Sequence, residues 1–126
     1  MPERFHIQFS MTGAVDHNSR AIRQVSALAD AGYRVHVASL ESSGPSHDFS
    51  PLVTVDRIPT PAGSGPRYFR SVHRAFRRAA GRVTARLYHA SDLYVLGAAS
   101  DAASGRNARY SYDSRELYTH VATTAG

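Results

Sequence analysis

With 126 residues, the chain has room for one domain with a real core. It has no Cys and no Trp, which excludes disulfides, thiolate catalysis and Cys-based zinc sites and fits a reducing, cytoplasmic setting. All 15 basic side chains are Arg, which removes Schiff-base and phosphate-loop lysine chemistry, and the net charge of +5 suggests an anionic partner such as lipid headgroups, nucleic acid or a phosphorylated substrate.

Residues 4–10 alternate, apolar at Phe5, Ile7 and Phe9, and are predicted to form a strand; this start is unlike a secretory signal. Residues 11–18 read as a turn-rich loop in which Gly13 is able to take positive φ. From Ser19 the positions Ile22, Val25, Leu28 and Ala29 keep helical spacing, Gly32 supplies a stop, and 33–40 is a second strand, completing a βαβ unit. Residues 41–51 are loop, and 52–58, with Val53 and Val55, form a third strand near the sheet edge. The Pro- and Gly-rich stretch 59–66 cannot be regular structure. A long helix over 67–82 follows, then a strand over 85–89. Ser91 or Asp92 caps a helix through Leu93, Leu96, Ala99 and Ala103 that Gly105 ends, before a fifth strand at 108–112. The order β-α-β-β-α-β-α-β implies an α/β fold, a doubly wound, mostly parallel Rossmann-like sheet of about five strands. No apolar run approaches the roughly 18 residues of a membrane span. The sequence reaches Gly126 soon after the fifth strand, so an incomplete domain is expected, with an apolar flank that favours a homo-oligomer.

In such sheets ligands bind beyond the carboxyl ends of the strands, and three loops qualify. The first holds Gly13, Asp16, His17 and Asn18. Its groups suit a sugar hydroxyl or a phosphate; alternatively Gly13 only turns the chain and Asp16 or Ser19 only caps the helix. It lacks the G-x-G-x-x-G dinucleotide fingerprint. The second carries His89, Ser91 and Asp92, where His89 can bond an acceptor or pack as a half-buried ring, and Asp92 reads best as a cap. The third, Asp113, Ser114, Arg115 and Glu116, is the densest charged cluster after a strand; Arg115 stays charged and suits a phosphate or carboxylate rather than base chemistry. No H-E-x-x-H spacing and no G-x-S-x-G elbow is present, so metal-site and hydrolase readings are weak.

The strand-end phrases His89-Ala90-Ser91-Asp92-Leu93 and Tyr112-Asp113-Ser114-Arg115-Glu116-Leu117 resemble the amino-terminal domain of retaining, nucleotide-sugar-dependent glycosyltransferases of the GT-B fold, group 1 or family 4 type. The phrase from Leu28 to Val35 is common in the same family, and the resemblance spans 4–118. It implies an acceptor-side domain that holds a hydroxyl substrate, while a carboxy-terminal domain with no counterpart here holds the nucleotide-sugar donor. This chain is then expected to bind no cofactor or metal and to be inactive alone. Ser91 stands where relatives often carry a second His, and Arg115 where many carry His, which changes the chemistry available at both places.

A helical wheel over 67–87 puts Phe69, Val72, Phe76, Ala79, Ala80, Val83 and Leu87 on one face and Arg70, Arg74, Arg77, Arg78 and Arg82 opposite. No acid lies between Asp56 and Asp92 in the sequence, so strong positive potential is expected there. That face is either solvated or adsorbs to an anionic membrane, which would make the protein peripheral to the inner face of the membrane. A nucleic-acid-binding module is the other class considered, but the basic face lacks interleaved aromatics.

Overall fold

The computed structural model describes residues 3–113. In chain order they form β1 (Glu3–Met11), α1 (Ser19–Asp30), β2 (Val35–Leu40), β3 (Val53–Ile58), α2 (Gly65–Gly81), β4 (Val83–Ala90), α3 (Leu96–Gly105) and β5 (Arg109–Tyr112), with single 3-10 turns at Val15–His17 and Leu93–Val95. The strands make one parallel sheet in the order β3-β2-β1-β4-β5. This is the doubly wound α/β topology that the pattern predicts, with β3 at an edge. Among the described residues no helix is long and apolar enough to cross a membrane.

Two cores flank the sheet. On one face Phe9, Met11, Val35 and Val37 are buried with Ala21 and Val25 of α1, and Phe49 of the 41–52 segment packs against them. On the other, Val72, Phe76, Ala79 and Ala80 of α2 and Ala98, Ala99 and Ala102 of α3 close over Ala38, Leu40, Tyr88 and Ala90. The small residues of α3 let it lie near both α2 and the sheet, so truncating Phe76, fully buried at that junction, would cost about 3–5 kcal/mol. Buried polar groups are paired at the sheet centre: Gln8 Nε2 lies 3.2 Å from His36 Nδ1, and Ser10 donates to Gln8 Oε1 at 2.9 Å.

The β1–β4 register skips the His6–Arg86 pair, and Arg34 O accepts from both His6 N and Ile7 N. Across the skip the buried positions of β4 change phase, from Val83 and Ala85 to Tyr88 and Ala90. Strict alternation would have turned Tyr88 away from Ala85. Instead the fully buried Tyr88 hydroxyl donates to Val83 O at 3.0 Å and accepts the Ala85 N–H at 3.2 Å, satisfying backbone groups beside the irregularity.

Helix ends account for most departures from the sequence reading. Gly32 (φ 93°) closes α1 as predicted, with Tyr33 N donating to Leu28 O and Gly32 N to Ala29 O, the paired bonds of a Schellman stop. The cap at its start is Asn18, whose side chain accepts from Ala21 N, rather than Asp16 or Ser19. Helix α3 ends at Gly105 as predicted, and the left-handed residue that follows is Asn107 (φ 53°), with Ala108 N donating to Ala103 O. Helix α2 ends at Gly81, so Val83 and Leu87, predicted on its apolar face, belong to β4, and Phe69 is 48% exposed rather than buried.

Candidate functional site

Because every strand is parallel, all five carboxyl ends lie on one edge of the sheet, and the loops leaving them form a crest. The segment between β1 and α1 is the hub of that crest. Asp92, following β4, accepts from Thr12 N at 2.8 Å and Thr12 Oγ1 at 2.9 Å through Oδ2, while Oδ1 accepts from Tyr94 N at 3.1 Å. Asp92 therefore starts the 93–95 turn, as a cap would, and also clasps the first loop to the second. Arg20, in the first turn of α1, meets Asp113 at the end of β5 at 2.8 Å, and Asp113 N donates to Ala90 O. Asp16 completes the set on the β3 side. Its carboxylate takes a bidentate pair from Arg57, Nε to Oδ2 at 2.9 Å and Nη2 to Oδ1 at 2.8 Å, and accepts His47 N at 2.8 Å.

The predicted residues up to Asp113 each have a place. Asp16 has a side chain only 2% exposed, and its bonds to Arg57, with that backbone amide, hold its carboxyl down at about 2 against burial. Both its oxygens are occupied, so it pins the 41–52 segment to the crest. His17 is exposed, its Nε2 lying 3.1 Å from Ser43 O in the same segment, and Asn18 caps α1. Gly13 does not use the positive φ expected of it, and a Cβ there would meet only the flexible end of Met11, at 3.4 Å. The His89 ring lies against Phe9, centroids 5.1 Å apart and planes tilted by 31°, and shares a 2.7 Å hydrogen bond between Nδ1 and Ser111 Oγ. Burial lowers its pKa below 6.5, the nearby Asp113 carboxylate opposes that and Arg20 adds to it, so the ring is held neutral. His89 also lines a largely apolar cavity of about 360 Å³ with Leu28 of α1 and Leu87. Ser114, Arg115 and Glu116 lie outside the described residues.

The crest thus has two working parts joined by the hub. Toward α1 stand His89, Ser111, Asp113 and Arg20; toward α2 stand Thr12, Asp92 and an aromatic group that sequence reading missed. Phe69 and Tyr94, 48% and 54% exposed, stack with centroids 5.2 Å apart and planes 12° apart, and Tyr68 meets Phe69 edge-on. With Thr12 they line a cavity of about 250 Å³. Stacked, half-exposed rings beside a carboxylate and a hydroxyl offer an apolar face and hydrogen-bonding groups to one ligand. The exposure of Phe69 was hidden because it falls on the apolar side of the helical wheel.

The Arg face of α2 is partly neutralised by acids distant in sequence. Arg82 meets Asp56 of β3 at 3.3 Å, and Arg77 and His73 lie 3.9 and 3.7 Å from Asp101 of α3. The expectation of a face without local compensation is corrected at these two arginines. Arg70, Arg74 and Arg78 form no ion pair among the described residues. Within the same residues no three His, Asp or Glu side chains gather as a metal site. No protein-family model matches the chain, and no curated protein matches it significantly.

Proposed function

We propose that this chain is the acceptor-side domain of a retaining, nucleotide-sugar-dependent glycosyltransferase and that its crest holds the hydroxyl substrate. The observation that carries the reading is the clamping of the β1–α1 segment to two other strand ends, by Thr12 to Asp92 and by Arg20 to Asp113, with His89 and Ser111 alongside. Fixed hydrogen-bonding groups at a sheet's carboxyl edge suit a polyhydroxylated ligand, and the strand-end phrases His89–Leu93 and Tyr112–Leu117 favour this ligand class over others.

In the reaction this implies, the acceptor oxygen bonds to the anomeric carbon as the bond from that carbon to the nucleotide phosphate breaks, the hydroxyl proton passing to the departing phosphate oxygen, with net retention. The donor belongs to a second domain. The task of this chain is to position the acceptor: neutral His89 can exchange a hydrogen bond with a hydroxyl, Asp113 can accept from a hydroxyl, and Tyr94 can face a sugar ring, while Asp92 holds the two loops in place. Binding of a panel of simple glycosides, measured by calorimetry, tests it. Wild type is expected to bind at least one, and His89→Gln or Tyr94→Ala to weaken it about tenfold. Failure of every glycoside to bind, or equal binding by both variants, contradicts the reading. Incubation with nucleotide sugars and the bound glycoside is expected to give no transfer.

Adsorption to an anionic membrane is the second reading, favoured by Arg70, Arg74 and Arg78, which share one face of α2 and form no ion pair among the described residues. Arg attracts headgroups, which would bring a membrane-held acceptor close to the crest.

A further inference from the structure

At the opposite edge of the sheet, where the strands begin, lies the largest of the cavities described, about 630 Å³, lined by Arg4, Phe5, His6, Arg34, Thr84 and Arg86 among others. We propose that this cleft is a binding site for a small soluble polyanion bearing phosphate groups, separate from the crest. Three exposed arginines from three neighbouring stretches of chain line one concavity: Arg4 from β1, Arg34 from the turn before β2, and Arg86 from β4. Among the described residues no carboxylate lines it, and none of the three arginines enters an ion pair.

The cleft is also held in shape. The guanidinium of the exposed Arg34 lies over the buried Phe5 ring, 5.0 Å from its centroid, a contact that favours this position of the cation. The Arg34 backbone N–H donates to His6 Nδ1 at 2.9 Å, which leaves Nε2 as the protonated nitrogen of the neutral ring, a donor rather than an acceptor. The His6–Arg86 position, where the β1–β4 pairing is interrupted with its register unchanged on either side, falls inside the site.

Guanidinium groups stay charged and match phosphate oxygens in pairs, and a concave wall focuses their potential. Thr84 adds a hydroxyl, and the volume falls in the range of pockets for small ligands, roughly 300–1,000 Å³. Small size and concavity favour a compact di- or triphosphate group over a duplex or a bilayer, which would engage a convex surface such as the Arg face of α2.

Calorimetry at low ionic strength with sodium pyrophosphate and inorganic phosphate tests the proposal. One pyrophosphate is expected to bind per chain, more tightly than phosphate, and Arg34→Ala and Arg86→Ala are each expected to weaken it by about tenfold or more. Arg34→Lys keeps the charge but loses the fork, and its intermediate weakening keeps the test open should Arg34→Ala not fold. The combined Arg70→Gln, Arg74→Gln and Arg78→Gln variant is expected to bind normally. Pyrophosphate binding that survives the Arg34 and Arg86 changes, or disappears in the helix variant, overturns the proposal. So does binding of duplex DNA or phosphatidylglycerol vesicles that is lost in Arg34→Lys while pyrophosphate fails to bind.

Discussion

Replacing Asp16 by Asn removes the charge from the most deeply engaged ion pair of the crest while keeping an oxygen for His47 N. The Asp16 side chain is 2% exposed and its pKa is depressed from 3.8 to about 2. A depression of that size corresponds to about 2 kcal/mol of stability, since each unit is worth about 1.4 kcal/mol. Because the folded-state value is the lower one, this contribution is complete above the unfolded value and is lost as pH falls from about 4 to about 2. Urea unfolding of wild type and Asp16→Asn should therefore differ by about 2 kcal/mol near neutral pH, and the gap should close through that acid window. Arg57→Gln should give a similar loss, and the double variant should lose much less than the two combined, because each single change already removes the pair. Equal stability of Asp16→Asn and wild type near pH 7, or a gap unchanged near pH 2, would refute the assignment of Asp16 as a pin between the first crest loop and the 41–52 segment.

Four further outcomes are expected. The His89 imidazole, followed by NMR, should titrate below 6.5; as its folded value is the lowered one, its contribution to stability is full above about pH 6.5 and declines below it, and a midpoint above 6.5 would contradict its burial. Asp92→Ala should cost about 1–3 kcal/mol in thermal or urea unfolding, because Thr12 N, Thr12 Oγ1 and Tyr94 N all lose their acceptor. Gly13→Ala should change stability by less than about 0.5 kcal/mol, since the backbone is not left-handed and the new methyl meets a movable Met11 end; a large loss would restore a conformational role for this glycine. Vesicles containing phosphatidylglycerol should retain the protein at low salt and release it as salt rises, with Arg70→Gln, Arg74→Gln and Arg78→Gln abolishing retention and Arg82→Gln, whose charge faces Asp56, having less effect.

The fold was legible wherever one short-range pattern decided it. Alternation at Phe5, Ile7 and Phe9 marked β1, the Gly32 stop marked the end of α1, and the absence of a helical pattern between β2 and β3 left a bare connection there. Boundaries slipped where two periods overlap: Val83 continues the helical spacing of α2, yet it already lies in β4, two residues ahead of the predicted strand start. The site was legible only as a list of strand ends. Its working contacts join residues far apart, 80 positions between Thr12 and Asp92 and 41 between Asp16 and Arg57, and no local pattern encodes such partners. The same reason hid Asp56 and Asp101 from the reading of the Arg helix. Tyr94 directly follows the phrase His89–Leu93, but its value comes from the stacking of Phe69, brought to it from α2.

The central claim is that a sugar-like acceptor settles on the crest, and mapping its contact by backbone amide NMR tests this most directly. Titration with the tightest-binding glycoside should move the amides of Thr12, Ser91, Tyr94, Ser111 and Asp113 most, while those of Arg4, Arg34 and Arg86 stay in place. Shifts confined to the amino ends of the strands or to the Arg face of α2, with the crest unmoved, would contradict the account.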